Sequence, residues 1–210
     1  MKIFDMHIHT GDGEIRQSYL IEQMEKSGVW GGALISACPE EAAPDLFKLP
    51  YKERIDNIMA WTKGYEDRFI PILWVHPFEK NVEEVVKAAK SAGIRAFKII
   101  CDKFAVYSPE NMRLLSAIEE TGLPVVFHTG ILWSGNDSSK YNKPVDWECM
   151  LNFNNIKFSM GHCSWPWHDE CIALYGKFLN ALEKGKSAEM FLDLTPGTPE
   201  LYREELLTKI

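Results

Sequence analysis

Short apolar runs alternate with amphipathic segments from one end of the chain to the other. An apolar run bounded by turn residues reads as a buried strand, and apolar positions spaced three and four apart read as one face of a helix. Seven strands are predicted on this basis, over 2–9, 29–37, 69–76, 94–100, 124–129, 156–162 and 190–195. Helical patterns lie between them. In 79–91, Val82, Val85, Val86 and Ala89 form an apolar stripe against lysine and glutamate. Ser108-Pro109-Glu110 and Thr198-Pro199-Glu200 each combine an N-cap, a proline in the first turn and an acid suited to the helix dipole, so each predicts a helix start. Gly28, Gly93 and Gly122 stand where helices end and the next strand begins. The polar stretch from Ser134 to Ser139 predicts a loop after the fifth strand, read as a lid or pocket rim.

Repeated strand-helix units imply an α/β fold with a parallel sheet, and seven of them imply a TIM-like (β/α) barrel over a single domain, 1–210. Such barrels have eight strands in about 250 residues. The eighth strand is missing from the pattern: the helix starting near Thr198 runs to Ile210. A barrel lacking that strand leaves the first strand as an unpaired edge, so the expectation is a chain truncated before its last strand.

Composition narrows the function. The chain has 210 residues, 46% hydrophobic and 25% charged, an ordinary soluble globular makeup. A formal charge of −7 with no basic patch disfavours nucleic acid and anionic membranes as partners. No apolar run approaches the roughly 18 residues of a spanning helix, and Met1 leads into the first strand without a signal-peptide pattern. Five cysteines without a C-x-x-C pair read as reduced thiols, which points to the cytoplasm. His162, Cys163, His168 and Cys171 imitate a zinc knuckle, but Trp165, Pro166 and Trp167 between them suit a pocket wall better.

Candidate chemistry gathers at the strand ends, where barrels of this kind carry their reacting groups. Asp5, His7 and His9 are two apart, so a regular first strand puts them on one face. Two imidazoles there can supply two nitrogen ligands to one metal ion, with the carboxylate orienting them. His76, His128 and His162 end the third, fifth and sixth strands, so five of the six histidines share one rim. His128 follows an apolar run that buries its ring, which favours a ligand role. His162 reads equally as a ligand to a second metal or as a hydrogen-bond donor to substrate, and His76, before Pro77, reads as a pocket-wall residue. Lys98 lies on an apolar strand, where a buried ammonium needs a carboxylate, a substrate anion or conversion by CO2 to an anionic bridge. Asp193 is a further acid, read either as a site residue or as a structural one.

Taken together, Asp5-Met6-His7-Ile8-His9, Phe97-Lys98-Ile99, Leu123 to Gly130, Met160 to Trp167 and Phe191 to Thr195 resemble the amidohydrolase superfamily, in the amidohydrolase-related branch with aminocarboxymuconate-semialdehyde decarboxylase. The resemblance covers essentially the whole chain. It implies that His7, His9 and His128 bind a divalent metal, usually zinc, with manganese as an alternative. It further implies that His162 binds a second metal or acts on the substrate and attacking water, and that Lys98 takes the bridging-lysine position. Two departures stand out: Cys163 and Ser164 replace a loop that is often glycine-rich, and the family's strand-eight aspartate has no counterpart here, since Asp193 belongs to strand seven.

The expected activity is metal-assisted hydrolysis of a lactone, ester or amide of a small molecule. Trp133, Tyr141, Trp165 and Trp167 would wall a site for a substrate with a planar or apolar part. The rival readings are a non-oxidative decarboxylase with the same metal cage, a polymerase-and-histidinol-phosphatase phosphoesterase, and a catalytically incomplete fragment. The phosphoesterase reading is weakened because its Thr-Asp-His after the second strand is replaced by Leu34 to Cys38. An open barrel edge would suit a second subunit, so a homo-oligomer is compatible with this reading.

Overall fold

The computed structural model describes residues 2–10, 16–42, 47–195 and 200–210. They form two compact units, Met1–Lys98 and Ile99–Ile210.

In the first unit the order is β1 (Ile3–His9), α1 (Gln17–Lys26), β2 (Val29–Ile35), α2 (Tyr51–Thr62), β3 (Phe69–Trp74), α3 (Val82–Ala92) and β4 (Ala96–Ile99), whose last residue enters the second unit. Each strand pairs in parallel with the next. Strands of a parallel sheet are covered on both faces, which is why they read as unbroken apolar runs. Ala33, Leu34 and Ile35 on β2 are accordingly fully buried, as are Leu73 and Phe97 on β3 and β4. The predicted stripe Val82, Val85, Val86 and Ala89 is the buried face of α3.

Two glycines on β2 let its neighbours come close. A Cβ on Gly31 would stand 2.3 Å from the Arg68 carbonyl oxygen, and one on Gly32 would stand 2.9 Å from that of Asp5 and 2.5 Å from Ile8 Cδ1. Backbone cannot yield as a flexible side chain can. Gly31→Ala is therefore expected to lower stability by about 1–3 kcal/mol. Urea unfolding should show a lower midpoint at unchanged slope, and an unchanged midpoint would mean that the strands part without cost.

In the second unit the order is α4 (Pro109–Thr121), β5 (Val125–Phe127), two 3₁₀ segments (Ser139–Tyr141 and Pro144–Asn152), β6 (Lys157–Met160), a tight turn (Gly161–Ser164), α5 (His168–Glu183), β7 (Glu189–Leu192) and α6 (Glu200–Lys209). β5 pairs with β6 and β6 with β7, again in parallel. Ser108 caps α4 as its sequence predicts, with its side chain accepting the Asn111 N–H, while Thr198 and Pro199 of the second cap motif lie outside the described residues. The core is aromatic. Phe127 meets Trp147 edge-on at 5.4 Å and Phe158 at 6.1 Å, and Phe158 meets Phe178 at 5.2 Å. Such pairs contribute about 0.5–1.5 kcal/mol each beyond the area they bury, which anchors a strand as short as β5.

All seven predicted strands are present, parallel and alternating with helices, the pattern of the TIM-like (β/α) barrel class. No eighth strand occurs among the described residues. Among them, too, no helix is long and apolar enough to cross a membrane, and the five cysteines are free thiols.

Candidate functional site

The first unit places its histidines on a strand that is less regular than its sequence predicts. Asp5 pairs with Gly32 and Ile8 with Leu34, so three steps along β1 face two along β2. The extra residue breaks the simple alternation that would put Asp5, His7 and His9 on one face. The cause is local: Asp5 Oδ1 accepts the His7 backbone N–H at 3.0 Å, an i to i+2 bond that aspartate forms readily and that competes with the ladder. The His7 and His9 rings still lie together, with centroids 5.3 Å apart. Lys98 on β4 is fully buried, with Nζ 3.1 Å from His7 Nε2. Trp74 faces Lys98 across β3 and β4 and meets His9 edge-on at 5.8 Å. His7, His9, Trp74 and Lys98 thus form one cluster.

His76 sits two residues past β3 and is buried. Its Nδ1 accepts the Phe78 N–H at 3.3 Å, so a neutral ring carries its proton on Nε2. Its own backbone N–H donates to Glu79 Oε1 at 2.8 Å, and Glu79 Oε2 accepts from Arg54 Nη2 at 2.5 Å. Arg54 is 1% exposed and Glu79 6%. Burial pushes the Glu79 carboxyl above its ordinary value, against the lowering pull of Arg54 and the His76 N–H. No local motif marks this ion pair, because its partners stand 25 residues apart, Arg54 on α2 and Glu79 in the turn before α3.

In the second unit His128 directly follows β5, and its N–H donates to the Ile99 carbonyl at 2.9 Å. Its Nε2 lies 3.3 Å from the Ile131 carbonyl oxygen. His162 lies two residues past β6, with its ring centroid 5.0 Å from that of His128. The backbone there is strained: His162, Cys163 and Ser164 take φ of 58°, 43° and 56°, and the left-handed region costs a non-glycine residue about 1–2 kcal/mol. Hydrogen bonds hold it. The Cys163 N–H donates to the Asp193 carbonyl at 2.8 Å and the Trp165 N–H to that of His162 at 3.1 Å. The Ser164 hydroxyl donates to Thr129 Oγ1 at 2.9 Å, and Thr129 in turn to the Gly161 carbonyl at 2.7 Å. Gly130, at φ +91°, admits the same turn, because a Cβ there would lie 2.2 Å from the Trp165 carbonyl oxygen. Strain so firmly held is a mark of functional turns.

Asp193 repeats the device of Asp5, with Oδ1 accepting the N–H of Thr195 at 3.0 Å. The Thr195 hydroxyl oxygen is 2.9 Å from His162 Nδ1. Among the aromatic candidates, Trp133 is 73% exposed and stacks on Trp165 at 6.0 Å, with the planes 10° apart. Tyr202 of α6 adjoins Trp165 at 5.9 Å, while Trp167 carries Lys143 Nζ over its ring at 5.8 Å. The structure thus joins His7 to His9 and Lys98, His128 to His162, and Trp133 to Trp165.

Imidazole nitrogens are of the donor type that divalent metals take. Two imidazoles on one tetrahedral ion with metal–nitrogen bonds of 2.0–2.1 Å have centroids about 5 Å apart, and both pairs match that spacing. Among the described residues, no group of three or more His, Cys, Asp or Glu side chains is arranged to hold an ion.

The fold and these strand-end imidazoles define a class, and the chain belongs to the amidohydrolase family: the model of that family, described as Amidohydrolase, matches residues 5–194. No curated protein matches the chain. Among solved structures, it resembles a probable 2-pyrone-4,6-dicarboxylic acid hydrolase from Acinetobacter baumannii at a TM-score of 0.62 and 14% identity, over 100% of this chain and 79% of that one. A protein assigned as an amidohydrolase from Staphylococcus aureus gives 0.62 and 13%, over 100% and 84%. A dihydrodipicolinate synthase from Agrobacterium tumefaciens gives 0.54 and 12%, over 99% and 76%. At these identities the likeness establishes the fold, and the synthase shows that the fold does not choose the reaction.

Proposed function

We propose that this chain is a metal-dependent hydrolase acting on a carbon–oxygen or carbon–nitrogen bond of a small lactone, ester or amide. The observation that carries the reading is the pairing of imidazoles at strand ends, His7 with His9 and His128 with His162, in a chain of the amidohydrolase family. His7 and His9 are assigned as ligands of a divalent ion, zinc or manganese, with His128 and His162 as the further imidazoles. Family membership, rather than a measured distance between the pairs, supports giving both to one reaction. When bound, such an ion would lower the pKa of its water to about 7 and polarise a carbonyl.

The chain's own groups supply the rest. The buried Lys98 ammonium adjoins His7 Nε2 and offers positive charge to an anionic oxygen, or becomes the bridging group if carboxylated. His162 moves or holds a proton at its ring nitrogens. The stacked Trp133 and Trp165 present a flat apolar surface to a planar part of the substrate. His76, with its backbone locked by Glu79 and Arg54, is a rigid wall residue.

The test is a panel of lactones, esters and amides beside carboxylated aromatics. Hydrolysis of at least one member of the first group is expected. Release of CO2 from the second group without any hydrolysis would replace this reading with a carboxy-lyase.

A further inference from the structure

We propose that Thr195 is a positioning residue that fixes the proton of His162 on Nδ1 and leaves the ring's lone pair on Nε2. A neutral imidazole places its one proton on either nitrogen, and the hydrogen bond made by one nitrogen decides the state of the other. Thr195 Oγ1 stands 2.9 Å from His162 Nδ1. A hydroxyl can accept this proton or donate its own, so distance alone does not choose between the two arrangements.

The surroundings do choose. The Thr195 backbone N–H is bonded to Asp193 Oδ1 at 3.0 Å, so a carboxyl oxygen stands one hydrogen bond from the threonine that meets Nδ1. Negative potential there favours the tautomer that directs N–H toward it. The same aspartate holds the strained turn, because its carbonyl accepts the Cys163 N–H at 2.8 Å and its own N–H donates to Met160 at 3.1 Å. The threonine and the ring are thus held in register by a single residue. Of the two roles that sequence leaves open for His162, a lone pair on Nε2 suits a metal ligand or a base. It does not suit a donor to the substrate carbonyl. The importance of this for catalysis rests on the hydrolase reading, but the tautomer itself does not.

The test is long-range proton–nitrogen NMR on the full chain with labelled histidine, at a pH about two units above the ordinary histidine value. The His162 signal is assigned by its loss in His162→Gln. The wild-type ring is expected to be the Nδ1–H form, with or without added zinc. Thr195→Ser should keep that form, because the hydroxyl remains, whereas Thr195→Val should lose it. An Nε2–H ring in the wild-type protein overturns the proposal, as does an Nδ1–H ring that persists in Thr195→Val. The wild-type measurement decides even if the valine variant does not fold. If the substrate panel fails while the tautomer stands, the hydrolase reading alone is lost.

Discussion

Glu79→Ala is expected to cost about 3–5 kcal/mol of stability, the usual penalty for leaving a buried charge without its partner. Arg54 is the group left behind. It is 1% exposed, and apart from Glu79 its side chain donates to the Leu49 carbonyl at 2.8 Å. Its Nε has no partner among the described residues. The double variant Arg54→Met, Glu79→Leu should regain most of the loss, since apolar side chains of similar volume avoid the desolvation that the pair must offset. Denaturant unfolding of the single and double variants checks both statements, and a cost below about 1 kcal/mol for Glu79→Ala would mean that water reaches the pair.

The same pair gives a pH dependence whose sign follows from its burial. Burial raises the Glu79 carboxyl above its ordinary value, so the folded chain binds that proton more tightly than the unfolded chain. Its contribution to stability is then full below the ordinary glutamate range and is lost as pH rises through the raised value. Glu79→Gln should remove this slope.

The second large effect is on catalysis. His7→Ala and His128→Ala are each expected to lower kcat/KM on the order of 10³-fold, about 4 kcal/mol of transition-state stabilisation. His7→Ala should also lower the thermal midpoint, because His7 Nε2 lies 3.1 Å from Nζ of the fully buried Lys98. His128 is 7% exposed and its ring contacts the Ile131 carbonyl, so its variant should lose some stability as well. A His7→Ala protein that keeps full activity on a substrate found by the panel would exclude His7 from the reaction.

Much of this was legible in the sequence, for physical reasons that differ by residue. The strands could be read because parallel strands are buried on both faces and so appear as apolar runs. The α4 cap could be read because Ser108 and Pro109 act locally. Histidines at strand ends could be read because strand ends are where this class of fold collects polar groups, whereas the pairing of His128 with His162 could not. The bulge in β1 could not be read by counting alternate positions, which assumes a regular ladder. Its signal was present all the same, in an aspartate two residues before the amide it captures, and Asp193-Leu194-Thr195 repeats that spacing. The left-handed turn at His162, Cys163 and Ser164 left no local trace, since none of the three is a glycine. It is held by Asp193 and Thr129, about 30 residues away on either side. Arg54 and Glu79 carry no local signal of their pairing, since the fold brings together residues 25 positions apart.

Turnover by the proposed hydrolase is expected to depend on a bound divalent metal. This dependence is tested most directly by elemental analysis of the purified chain together with its hydrolytic rate before chelation, after chelation and after zinc or manganese is restored. At least one equivalent of metal per chain is expected, with activity lost on its removal and recovered on its return. A chelated, metal-free protein that hydrolyses its substrate at the original rate would contradict it.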